Sequence, residues 1–372
     1  MINKFDNNEE LISNIEEILK PNIGVMAKDI ARKLDVDKSE LNSFLYHRSD
    51  LYFQDKKLFT WFLIKSQKFI ISFPQVLWLD SGLFEETLKN TGSPLDSNVD
   101  HIVFIVAKKC SILLDAASRL LSLCNQLIWA GKYVTIDFNA CKPTLHYFNR
   151  IGFCDLLNAG VDILPSRPIH SGAKTYKGNN ENLKEFGEIN PMQPDAAVPE
   201  DLQNAFIFHA GEQYQTLALT VISEPFNNVH DHSNSPIPGF AALQLYNGAK
   251  KHIQIVISDS GVGIVGTLRP ILESKYPLLF EKFSPQSPLK DILLIKEVFE
   301  KGGISQVDIE GRGLGLKRTH DLAVKYTANL TIRQEFFELK LFYKEGELQK
   351  FSYTENMPRI LGTHVCFDFF LD

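Results

Sequence analysis

Apolar and polar positions follow two different periods along this chain, and the changes of period divide it. Near the start, Leu11, Ile12, Ile15, Ile18 and Leu19 recur at three- and four-residue steps, which predicts an amphipathic helix over 8–19. A second, short helix is predicted over 26–34. After the turn Asp35-Val36-Asp37 comes a third, over 40–48, with Asp37 or Ser39 as its cap. Leu51 to Leu63 reads as a small hairpin around Asp55-Lys56-Lys57. From Val99 the pattern becomes strand, helix, strand, helix over 99–106, 113–129, 133–138 and 144–157, the alternation of a small α/β layer. Residues 166–200 are rich in Asn, Gly, Pro and Lys and predict a linker or an extended wrap between modules. Beyond it, Leu217, Leu219, Val221, Ile222, Phe226 and Val229 form an apolar stripe on one helix. Lys251 to Asp259 reads as a strand feeding a tight turn, Leu316 to Tyr326 as a helix, and Thr363 to Phe370 as a final strand. No internal repeat is found.

Composition narrows the class. With 372 residues, two or three domains are expected, and a 44% hydrophobic content is enough to give them cores. A net charge of −6 argues against a polyanion binder acting through its whole surface. No apolar run reaches membrane-spanning length and Met1-Ile2-Asn3-Lys4 begins no signal-peptide pattern, so no membrane partner is expected. The five cysteines (Cys110, Cys124, Cys141, Cys154, Cys366) have no metal-binding spacing. Scattered thiols without an export signal suggest a reducing, cytoplasmic setting.

The chemistry concentrates in three short segments of the C-terminal half. The first is Glu224-Pro225-Phe226-Asn227-Asn228-Val229-His230-Asp231-His232-Ser233. Glu224 and Asn228 are four apart, so both project from one helix face about one turn from each other. Asn228 offers a neutral oxygen to a magnesium ion, and Glu224 is placed to accept a proton from an attacking water. Pro225 removes one helical hydrogen bond and is expected to kink the helix beside Glu224. The second segment is Asp259-Ser260-Gly261-Val262-Gly263-Ile264, where a carboxylate at a strand end can accept from an amino group and glycines admit a flat base. The third is Gly311-Arg312-Gly313-Leu314-Gly315-Leu316, a glycine loop entering a helix, which attracts phosphate through free N–H groups and the positive dipole end. Arg312 and Lys317 would add charge there. The stretch 264–310 between the second and third segments is long for a compact domain and predicts a lid.

In this order and spacing the trio resembles the ATPase superfamily of DNA gyrase, the heat-shock-90 chaperones, histidine kinases and MutL (the GHKL group, or Bergerat fold), over roughly 202–372. The resemblance implies an α/β sandwich that binds ATP and Mg. Glu224 would be the catalytic base and Asn228 the metal ligand, with His232 and Ser233 closing the same box. Asp259 would contact adenine, with Gly261, Gly263 and Ile264 beside it. Gly311, Arg312, Gly313, Leu314, Gly315 and Leu316 would hold phosphate, and Thr363, after Gly362, would support the base side.

Two weaker resemblances complete a multidomain α+β layout of 1–65, 66–165, 166–200 (linker) and 201–372. Three helices and a hairpin are similar to a winged helix-turn-helix, with Lys38, Asn42 and Tyr46 at i, i+4 and i+8 and Trp61 in the wing. That polar face resembles domains that bind left-handed duplexes, without the paired prolines those carry before the tryptophan. Residues 1–65 hold 10 Lys and Arg against 11 Asp and Glu, so duplex binding needs a local face; protein docking is the alternative. The α/β layer is similar to STAS domains of anti-sigma-factor antagonists, implying a protein partner, and Thr144 is the one hydroxyl near their phosphorylation position. The functions expected are an ATP-driven switch or slow ATPase, an anti-sigma-factor-type serine/threonine kinase, or a transcription regulator that only senses ATP. A homodimer is compatible with each.

Overall fold

The computed structural model describes residues 8–19, 24–49, 51–63, 68–193, 195–232, 235–302 and 315–371. It is a mixed α/β protein with several sheets, and the chain divides into two compact units, 1–69 with 99–101 and 70–98 with 102–372. Among the described residues no helix is long and apolar enough to cross a membrane.

The smaller unit follows its hydrophobic periodicity closely. Helices Asn8–Leu19, Ala27–Leu34 and Lys38–His47 enclose Leu11, Ile15, Ile30, Leu41 and Leu45. Asp37 caps the third helix by accepting from the N–H groups of Ser39 and Glu40. Strands Tyr52–Asp55 and Thr60–Leu63 pair antiparallel, and Val25–Met26 adds a short third strand on the other side of Thr60–Leu63. Asp55 accepts from the N–H groups of Lys57 and Leu58, closing the turn where the hairpin was expected.

The larger unit is built on a seven-stranded antiparallel sheet in the order Leu183–Ile189, Gly239–Tyr246, His252–Ser258, His364–Phe370, Ala328–Gln334, Phe337–Lys344, Glu347–Thr354. Alternation gives this sheet two unlike faces. Ile253, Ile255, Ile257, Leu330, Ile332, Leu339, Phe367 and Phe369 join the core formed with helices Ala197–Ala210, Gln215–His232, Pro288–Lys301 and Gly315–Ala323. The intervening positions, Gln254, Ser258, Arg333, Glu338, His364 and Cys366, are polar or small and yet buried.

They are buried because the helix Leu114–Trp129 lies on that second face, with a four-stranded sheet (Lys68–Ser72, His101–Ile105, Tyr133–Asp137, Val161–Leu164) on the helix's other side. Every residue from Leu114 to Leu127 is buried. Arg119 pairs with Glu85 and Glu338, and Arg333 with Glu85, a buried quartet of two cations and two anions. Burial, followed by the neighbouring Arg119 and Arg333, pushes His364 down to about 3, so it stays neutral beside them.

Several expectations change on this scaffold. Residues 70–98 and 102–165 of the expected middle segment do not stand apart from 201–372, since they belong to one compact unit, while 68–69 and 99–101 go with the smaller one. The expected linker 166–200 contains strand Leu183–Ile189, the edge of the large sheet, and helix Gly172–Thr175. The single helix expected over 144–157 is two, Lys142–Arg150 and Phe153–Leu156, parted at Gly152. The helix through Pro225 runs on from Gln215 to His232 as one element.

Candidate functional site

Asp259 directly follows strand His252–Ser258, where the chain leaves the sheet for helix Gly263–Lys275. Its carboxyl group is buried and held from two sides. Oδ1 accepts from Gly261 N at 2.6 Å and Oδ2 from Thr363 N at 3.2 Å, while Asp259 N donates to Thr363 O at 2.9 Å. Burial pushes its pKa up to about 6, against the lowering effect of those two N–H donors. Gly362 makes the approach of the two loops feasible. Its φ is +91°, and a Cβ there would overlap the carbonyl group of Asp259.

A second layer of amides fixes these loops. Gln334, closing strand Ala328–Gln334, accepts from Ile264 N at 2.9 Å and donates to Thr363 Oγ1 at 3.1 Å. Gln126 reaches in from the sandwiched helix to Ser260 and Leu361. Neither glutamine was singled out from sequence. The only signal for Gln126 is an amide on the inward side of an apolar helix, and Gln334 carries none.

The other half of the site forms where two sequence-distant helices meet. Gly315 is the first described residue of helix Gly315–Ala323, and a Cβ on it would overlap the Glu224 carboxylate. Glu224 Oε1 lies 3.7 Å from Arg318 Nη1, both side chains being partly exposed. Asn228 follows one turn later and is half-buried. Leu316 packs against the apolar cores on both sides of it. Lys317 pairs with Asp321 on its own helix, so among the described residues Arg318 is the cation that faces Glu224. Gly311, Arg312, Gly313, Leu314 and Ser233 lie outside the described residues, as does the side chain of His232.

The segment expected as a lid is helical over Gly263–Lys275, Pro277–Lys282 and Pro288–Lys301, and its residues 303–310 lie outside the described residues. It has its own small core of Leu268, Leu272, Phe283, Leu294 and Val298, braced by Arg269 on Asp291 and on the carbonyl of Phe283.

In the smaller unit, Lys38, Asn42 and Tyr46 rise along one face of the third helix. Tyr46 is 60% exposed and stands edge-on to Trp61 with centroids 4.7 Å apart, while its hydroxyl donates to Gln54 Oε1 at 2.6 Å. Trp61 is 1% exposed and belongs to the core, so it props Tyr46 and offers no surface of its own. Thr144, the hydroxyl candidate of the α/β layer, is buried and donates to the carbonyl of Cys110 at 2.6 Å. All five cysteines are free and buried, and burial pushes Cys110 up to about 11 and Cys154 to about 12. No family model, curated protein or solved structure matches the chain.

Proposed function

We propose that the larger unit binds ATP with magnesium and hydrolyses it slowly, as a GHKL-type (Bergerat-like) domain fused to a STAS-like layer. The observation that carries the reading is that four sequence-distant segments meet in two pairs. Asp259 is joined to Thr363 through two hydrogen bonds, and Glu224 is set against Gly315 on helix Gly315–Ala323. The residue types fit the group. A buried carboxyl with backbone N–H donors behind it can accept from the adenine amino group. A glycine-opened helix start presents N–H groups to phosphate. Asn228, with its neutral oxygen, would hold magnesium, whose chemistry is to neutralise phosphate charge. Glu224 would hold the proton released by an attacking water, an effect of roughly 100- to 10,000-fold.

Calorimetry with ATP and magnesium tests the reading directly: binding heat from wild type, and binding weakened about 10- to 100-fold in Asp259→Asn, is expected. No heat from wild type would sink it. Labelled phosphate released into solution supports hydrolysis, whereas label on a partner protein would move the assignment to a serine/threonine kinase.

For the smaller unit we propose a winged-helix role in duplex binding through Lys38, Asn42 and Tyr46. The exposed Tyr46 ring, fixed edge-on by Trp61, supports this over a purely structural tyrosine. Fluorescence anisotropy with labelled duplex DNA tests it, and an equal affinity for wild type and Tyr46→Ala would count against it.

A further inference from the structure

Helix Leu114–Trp129 belongs by sequence to the α/β layer, yet one of its side chains reaches the loops around Asp259. Gln126 is 0% exposed and uses its whole amide there. Nε2 donates to Ser260 Oγ at 2.9 Å and to Leu361 O at 3.0 Å, and Oε1 accepts from Leu361 N at 2.9 Å. Ser260 follows Asp259 directly, and Leu361 precedes Gly362-Thr363, the second loop bonded to Asp259. One amide therefore ties together the two loops whose separation sets where the Asp259 carboxylate points. Two further contacts run alongside: Ser118 Oγ lies 2.7 Å from Ser258 Oγ, and Ser122 Oγ lies 3.4 Å from His364 Nδ1. A helix that only packed against the sheet would need apolar residues at these places. This one places an amide and two hydroxyls behind the end of strand His252–Ser258 and the start of strand His364–Phe370.

We infer that Gln126 is a positioning residue for base recognition, so that the α/β layer forms the rear wall of the nucleotide site. This rests on the ATP reading above and assigns that site a residue from outside the segments that carry the resemblance. The consequence is directional. Any partner that shifts helix Leu114–Trp129 changes nucleotide affinity, and by linkage nucleotide changes affinity for that partner by the same factor.

The test compares ATP with inosine triphosphate, which lacks the amino group that Asp259 would accept from. Both are titrated with magnesium into wild type, Gln126→Leu and Ser260→Ala, and each protein's melting temperature is recorded. Wild type should prefer ATP. Gln126→Leu should weaken ATP about tenfold, from the loss of hydrogen bonds that aim a charged acceptor, and inosine triphosphate far less, so the preference collapses. Ser260→Ala, which leaves both Leu361 bonds in place, should reduce the preference by about threefold. A lowered melting temperature with an unchanged ATP preference in both variants would show Gln126 to be mere packing and overturn the inference. If Gln126→Leu does not fold, the preference of Ser260→Ala decides alone. A wild type that binds neither nucleotide ends the ATP reading itself, which is a different result from a wild type that binds and a variant that binds as well.

Discussion

The two halves of the candidate site are built to opposite standards. On the Asp259 side, the side chains of Asp259, Gln126, Ser260 and Gln334 are buried and bonded: carboxylate to two backbone donors, Gln334 to Ile264 and Thr363, Gln126 to Ser260 and Leu361. On the Glu224 side, a partly exposed carboxylate rests against helix Gly315–Ala323, and the cation facing it among the described residues, Arg318, is 3.7 Å away and more than half exposed. Recognition of a flat base needs a shape fixed in advance, because misplacing an acceptor loses most of a directional bond. Phosphates carry their own charge and can displace a loosely held carboxylate, so that side tolerates latitude. The difference teaches where substitution is felt as folding and where as turnover.

Paired glycine substitutions test this most severely. Gly362→Ala places a Cβ against the Asp259 backbone at a φ of +91°, and neither can yield, so a loss of about 3 kcal/mol or more is expected in urea denaturation. Gly315→Ala meets only the end of the Glu224 side chain, which can swing away. Its stability should change by less than about 1 kcal/mol while turnover falls. Equal losses for the two would erase the contrast.

Charge substitutions come next. Glu224→Gln keeps the shape and removes the proton acceptor, so turnover should fall by roughly 100-fold or more with ATP affinity nearly unchanged. Asp259→Asn should instead cost about 10- to 100-fold in ATP affinity, since an amide turns an N–H toward one of two backbone donors. Acid sharpens the same point. ATP recognition needs the ionised carboxylate, so affinity should fall about tenfold between pH 7 and pH 5 as Asp259 takes up its proton near 6. Its effect on stability has the opposite sign. With the folded-state value raised above 3.8, the stability this carboxyl lends is complete below about pH 4 and lost as pH rises through 6. Asp259→Asn should flatten the affinity profile.

How much of this was legible in the sequence depends on which side of a residue chemistry lies. The amphipathic helices 8–19 and 38–47 and the strands 252–258 and 364–370 were readable because their apolar faces keep one period. Strand Leu183–Ile189 was not, since a bulge between Lys184 and Gly187 spaces its buried Leu183, Phe186 and Ile189 by three rather than two. Thr363, Gly315 and Glu224 were placed by motif. Their backing residues, Gln126, Gln334 and Arg318, lie in segments whose pattern gives no hint of which loops they touch. The second face of the large sheet was hidden for a related reason. Arg333, Glu338 and His364 look like solvent-facing positions of an alternating strand, and only the partners Arg119 and Glu85, more than 200 residues away, make them interior. Arg119→Ala, which removes the buried cation shared by Glu85 and Glu338 and leaves Glu338 only the half-exposed Lys340, should therefore cost about 3 kcal/mol in the same denaturation assay.

Arg318→Ala should give the smallest effect and is the most exacting check of the contrast. The Arg318–Glu224 pair is exposed and 3.7 Å apart, so its loss should change stability by less than about 0.5 kcal/mol. Binding should respond more than folding does. Without the guanidinium, the Glu224 carboxylate faces the incoming phosphates uncompensated, and ATP should bind about threefold more weakly at low ionic strength. At 0.15 M salt, where charges are screened over roughly 8 Å, that difference should shrink. A stability loss above about 1 kcal/mol, insensitive to salt, would mean the phosphate side is as tightly locked as the base side. The division of labour between them would then have no physical basis.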